Sequence, residues 1–119
     1  MLENFLVFNL AGYEYATNIV KVPIVLIAKK YLGFTPIDEI DGLKLKFEGA
    51  EISIIDLPKQ IVNTPNKLTT DSRILVGQMS DKFFGFLVDD VQEILMANLD
   101  EINENSNEQL KIYFRSAEL

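Results

Sequence analysis

Residues 73–95 run RILVGQMSDKFFGFLVDDVQEIL, and this stretch reads as a β-hairpin. Ile74, Val76 and Gln78 alternate with Leu75, Gly77 and Met79, the two-residue period of a strand. Ser80, Asp81 and Lys82 make a polar turn. The chain returns as Phe83 to Val88, apolar on both faces, as suits a central strand covered on both sides. Gly85 lies inside that return and has no side chain to pack, which marks a bulge or a close approach of neighbouring groups. Asp89-Asp90 ends the run. Val91 to Met96 is apolar again, with a period that fits helix or strand equally.

The same layout appears near the start. Phe5 to Leu10 is a strand with apolar residues on both faces, Ala11-Gly12 turns the chain, and Tyr13 to Thr17 returns. Both hairpins are followed by a valine-rich continuation, so the chain reads as two related halves. Ile19 to Ala28 is β-branched and apolar, and Pro23 within it implies an edge, a bulge or a break. Its side chains are expected to divide between core and surface. Lys29 to Asp41 is a turn-rich connection with room for a helical turn. Leu43, Leu45 and Phe47 alternate with Lys44, Lys46 and Glu48, one face dry and one wet. Glu48-Gly49 turns the chain into Ala50 to Ile55, and Asp56 is placed to cap a short helical turn over Pro58 to Val62. Asn63 to Asp71 is a polar loop. Asn98 to Gln109 is a solvated linker, and Leu110, Ile112 and Phe114 belong to a last amphipathic strand. Short strands, close turns and no long helical period make this an all-β chain, a sandwich or a pair of small barrels.

With 119 residues, 48% of them hydrophobic, the chain is one domain with a substantial core. A net charge of −7 disfavours nucleic acid and anionic membrane surfaces and suits a basic partner. There is no cysteine, hence no disulfide or thiolate zinc site, and no histidine, hence no Ser-His-Asp triad or phosphohistidine relay. No basic segment precedes the first apolar run, and the longest apolar run, Val22 to Ala28, is far short of a membrane span. The expectation is a soluble cytoplasmic protein with no direct membrane insertion.

Candidates for chemistry are few. Asp89 and Asp90 are adjacent carboxylates, too few oxygens for calcium, and read as an acidic strand-ending turn. Glu51 and Asp56 show no convergence with them. Tyr13, Tyr15, Phe83, Phe84 and Phe86 read as core rather than a ligand platform. No enzyme, cofactor or metal site is expected.

Three segments in order resemble the CheW-like domains of bacterial chemotaxis. These are FLVFNLAGYEYA…IVKV (Phe5 to Val22), GLKLKFEGAEISIIDL (Gly42 to Leu57) and the RILV…FFGFLVDDVQEIL hairpin. The third carries Val88, Asp89, Val91, Glu93, Ile94 and Leu95 of the family pattern. The resemblance implies a fold of two intertwined SH3-like five-stranded β-barrels. It sets the first half at about residues 1–62, a linker at 63–72 and the second half at about 73–119. It implies a non-catalytic adaptor without cofactors. The partners implied are a chemoreceptor cytoplasmic tip helix, lying in an apolar groove between the barrels, and the regulatory domain of a CheA-type histidine kinase. The partner-binding residues implied, or placed beside that groove, are Val22, Ile24, Lys46, Glu48, Gly49, Ile54, Val88, Asp89 and Val91. The chain also departs from the family. Glu48 stands where the family has arginine, and Val22-Pro23-Ile24-Val25 lacks the family's glutamate. The stretch from Ile102 to Leu110 is short, leaving the second barrel expected to lack a strand. These departures keep a second reading open, in which the module serves another sensory, motility or pilus-type pathway or self-associates.

Overall fold

The computed structural model describes residues 2–62 and 67–98. In chain order the strands are β1 (Leu2–Leu10), β2 (Tyr13–Asn18), β3 (Ile24–Ile27), β4 (Lys44–Phe47), β5 (Ala50–Asp56), β6 (Arg73–Met79), β7 (Lys82–Val88) and β8 (Asp90–Asn98). Two short helices, α1 (Ala28–Leu32) and α2 (Leu57–Val62), and 3-10 turns at Ile19–Lys21 and Ile37–Glu39 fill the connections. Thus Val91 to Met96 is strand, decided by its pairing with β1 and not by its own period. The linker Asn98 to Gln109 (beyond Asn98), the short stretch Ile102 to Leu110 and the last strand at Leu110, Ile112 and Phe114 lie outside the described residues.

The three hairpins among the described residues have two-residue loops. Leu10 faces Tyr13, Phe47 faces Ala50 and Met79 faces Lys82. Each loop has positive φ at both positions: 53° and 85° at Ala11-Gly12, 50° and 82° at Glu48-Gly49, 49° and 68° at Ser80-Asp81. That is the turn whose twist matches the right-handed twist of the strands it joins. Lys82, expected in the third turn, is instead the first residue of β7, because the tight turn closes in two residues.

The strands form two sheets, one ordered β3-β6-β7-β5-β4 and one β2-β1-β8 among the described residues. Neither sheet belongs to one half of the chain. β3 follows the β1–β2 hairpin and pairs with β6 of the β6–β7 hairpin, while β8 follows the β6–β7 hairpin and pairs with β1. The exchange is reciprocal, and β5 and β4 of the first half also join the five-stranded sheet through the β5–β7 pairing.

β7 sits centrally, antiparallel to β6 and parallel to β5. Its two faces feed two cores, which is why it carries no polar side chain from Phe83 onward. On one face Phe86 and Val88 join Leu57, Leu75 and Val22 against Leu6, Phe8 and Leu10 of β1. On the other, Leu87 joins Ile52, Ile54, Ile74 and Val76, and the sheet curls over Leu26, Ala28, Leu32 and Ile40. Tyr31 of α1 meets Phe47 of β4 edge-on, with ring centroids 6.0 Å apart, joining α1 to the β4 edge of this half-barrel. Gly85 faces the second core, in continuous register with Val76 and Ile54, so it marks a close approach and not a bulge. The bulge lies elsewhere. Val7 pairs with Glu93 and Phe8 with Val91, which leaves Gln92 as the extra residue of β8.

Candidate partner-binding surfaces

The pairing register places Lys46, Glu48 and Gly49 toward one end of the five-stranded sheet and Val88 and Asp89 at the other, with Ile24 and Ile54 midway, both level with Gly85. Lys46 faces Glu51 and Phe47 faces Ala50, one step beyond the level at which Ile52 meets Phe83. The Glu48-Gly49 turn therefore lies toward the Ser80-Asp81 turn. Lys46, Glu48 and Gly49 are all exposed there. Ile27, Arg73 and Val88 lie level with one another at the other end, roughly 20 Å of strand away. Asp89 follows Val88, and Val91 lies beyond it on β8.

Three of the expected residues are core. Ile54 and Val88 are 1% and 0% exposed and Val22 is 4% exposed. Ile24 and Val91 are half-buried and pack against the second and first cores respectively. The apolar surface at this end comes from residues not singled out in the sequence. Val25 is 40% exposed and Ile27 is 51% exposed. Val25 faces Leu75 and Ile27 faces Arg73, so both lie on the side of the sheet that covers the first core, beyond the part of it that β1 overlies. The run from Val22 to Ala28 does divide between core and surface, with Val22, Leu26 and Ala28 inside and Val25 and Ile27 outside. In an uninterrupted apolar run the phase of the alternation carries no label. Only the pairing with β6 sets it.

Arg73 stands beside Ile27 in the same row. Its Nη1 donates to the carbonyl oxygens of Thr70 (2.9 Å) and Ser72 (3.0 Å). The loop that supplies them is itself fixed, with the Ser72 hydroxyl accepting from the Thr69 N–H at 2.9 Å. A charged residue opening a strand looks in sequence like a solvated end, so nothing marked Arg73.

Asp89 and Asp90 tie the corner after β7 to the β1–β2 hairpin. The Asp89 carboxylate accepts from the Ala11 N–H at 2.9 Å, and the Asp89 N–H donates to the Asn9 carbonyl at 3.0 Å. Asp90 accepts from the Asn9 amide at 2.8 Å. Burial raises the Asp89 carboxyl above the ordinary aspartate value, the Ala11 N–H opposes this, and the neighbouring Asp90 charge adds to it. Both carboxylates are committed to protein donors. Among the described residues no group of three or more His, Cys, Asp or Glu side chains is placed to hold a metal ion. No helix among them is long and apolar enough to cross a membrane.

Compared with known proteins, the chain matches the family model for the CheW-like domain over residues 4–117. The chain belongs to the CheW-like domain family. That family is one of non-catalytic scaffolds and adaptors of bacterial chemotaxis. Among solved structures, this CheW-like chain is similar to the scaffolding protein TtCheW from Thermoanaerobacter tengcongensis. The TM-score is 0.70 at 26% identity, over 88% of this chain and 68% of that one. A comparison with curated proteins found no match. The two sheets, one curled into a half-barrel, match the CheW fold of two SH3-like subdomains.

Proposed function

We propose that this CheW-like chain is a cytoplasmic adaptor that couples chemoreceptors to the regulatory domain of a CheA-type histidine kinase, acting as one module over its whole length. The observation that carries this reading is the family match over residues 4–117. The surface at the Arg73 end suits the receptor. Val25 and Ile27 give an apolar strip at the margin between the two sheets, the kind of surface into which an amphipathic helix lays its apolar face. Asp89 and Val91 flank it, Val22 and Val88 pack in the first core on its side of the sheet, and Ile24 and Ile54 pack in the second core on the other side. The Lys46-Glu48-Gly49 hairpin end gives a second, polar surface, far enough away for a second partner to bind at the same time. Weak contacts at two surfaces gain strength when many copies are arrayed.

The test is co-elution of the folded protein with a CheA-type regulatory domain and, separately, with a chemoreceptor cytoplasmic tip. Binding to both supports the reading, and no binding to either at high micromolar concentration overturns it. Glu48 in place of the family arginine favours a second reading, a module turned to another sensory, motility or pilus-type pathway or to self-association. A carboxylate cannot replace a bidentate arginine contact. If Glu48→Arg creates tight receptor binding where the natural chain has little, the second reading is supported. If it changes nothing, the charge at this turn is not what separates this chain from its family.

A further inference from the structure

We infer that Arg73 is a carboxylate-recognition residue at the edge of the Val25-Ile27 strip, selecting a partner helix that carries an acidic side chain beside its apolar stripe. The inference rests on the receptor-coupling reading above and deepens it.

The geometry supplies the reason. A guanidinium has five N–H donors in a rigid plane. In Arg73 the two Nη1 protons go to the carbonyls of Thr70 and Ser72. That fixes the plane of the group and leaves the Nε–Nη2 edge, which presents two parallel donors of the spacing a carboxylate accepts. No ion pair to Arg73 occurs among the described residues. The group is half-buried and is level with Ile27, which is 51% exposed, so a helix covering Ile27 would also dry the guanidinium. A cation in that position is costly to cover unless the arriving surface brings an acceptor. The occupant that satisfies both features has apolar residues at helical spacing with a glutamate or aspartate at their margin. A purely apolar helix would bury the guanidinium edge unpaired. Lys29 and Lys30 of α1 follow directly on Ile27 and Ala28 at this end, and of the three cations Arg73 alone carries the planar fork.

The experiment is a double-mutant cycle on the folded chain with the cytoplasmic tip of a chemoreceptor from the same organism. Binding is followed by fluorescence anisotropy at two salt concentrations. The chain is tested as natural, R73K and R73Q, and the tip as natural and with each carboxylate changed singly to its amide. R73Q should weaken binding about ten-fold and reduce its salt dependence, and R73K should weaken it nearly as much because an ammonium offers no fork. One carboxylate-to-amide change in the tip should weaken binding to the natural chain by a similar factor and leave binding to R73Q unchanged. If R73Q loses its fold by thermal melting, R73K carries the comparison. Equal binding by the natural chain and the Arg73 variants, or effects that simply add between Arg73 and every tip carboxylate, overturns the role of Arg73 alone. Failure of the natural chain to bind the tip at all overturns the receptor reading, and this inference with it.

Discussion

The Asp89 carboxylate accepts a hydrogen bond from the Ala11 N–H at 2.9 Å, joining the turn between β1 and β2 to the corner that follows β7. Asp89→Ala removes that acceptor and leaves the Ala11 N–H unpaired, at a cost of about 1–2 kcal/mol. Asp89→Asn keeps an acceptor and removes a charge that burial and Asp90 both disfavour. The sign follows from the raised pKa. The folded state holds the proton more tightly than the unfolded state, so the contribution of Asp89 is greatest below the ordinary value of 3.8. It is lost as pH rises through the higher folded value. At pH 7, Asp89→Asn should therefore be as stable as the natural chain or more so, while Asp89→Ala is less stable. Urea unfolding at pH 7 checks this, and an Asp89→Asn as destabilised as the alanine variant would refute it.

Gly85→Ala should destabilise the chain by about 1–3 kcal/mol through overpacking. A methyl there stands 2.7 Å from Cγ2 of Ile74, 2.9 Å from Cδ1 of Ile54 and 3.1 Å from Cγ2 of Ile52. Ile54→Val removes one of the three clashing atoms. The double variant should then be less impaired than the sum of the two single changes, by thermal melting. Strict additivity would show that Ile54 is not what fills the glycine's place.

Glu48→Asn should stabilise the chain by about 1 kcal/mol. Glu48 holds φ of 50° in its turn, a conformation that costs most side chains energy and that asparagine tolerates. The change makes Asn-Gly, the strongest sequence for this turn. The urea midpoint should rise with the slope unchanged, and a lower midpoint would count against the turn assignment.

Asp56→Ala should cost about 1–2 kcal/mol by uncapping α2. The Asp56 carboxylate accepts from the Lys59 N–H at 3.2 Å, while the Asp56 N–H donates to Asp41 at 2.9 Å, a bond the alanine retains. Asp56→Asn should recover part of the loss. Equal midpoints for Asp56→Ala and the natural chain would show the cap to be unimportant.

Much of the architecture is legible because strand and turn signals are local. Leu43, Leu45 and Phe47 announce their face through the lysines between them, and they do pack on the second core. Asp56 before Leu57-Pro58 announces a cap, and it makes one. The third turn misreads by one residue because Lys82 is polar, although it pairs with Met79. Of the candidate surface residues, Lys46 and Glu48 are readable as exposed because they are charged. Ile54 and Val88 carry no mark that separates a groove from a core, and Arg73 carries none that separates a fixed guanidinium from a solvated one.

The sequence alone determined that this is an all-β chain of hairpins, without the residues for thiol or imidazole chemistry, in the CheW-like family. The hairpins and the missing chemistries follow from side-chain period, turn residues and composition, which act over a few positions, while the family shows in the ordered match of three segments. Only the tertiary structure decided which strands pair. It sends β3 to β6 and β8 to β1, and that exchange sets which side of each apolar run faces water. A strand's own residues fix the two-residue period, but its phase is fixed by the partner it meets, dozens of residues away. That is why Val25 and Ile27 form the surface and Leu26 between them the core.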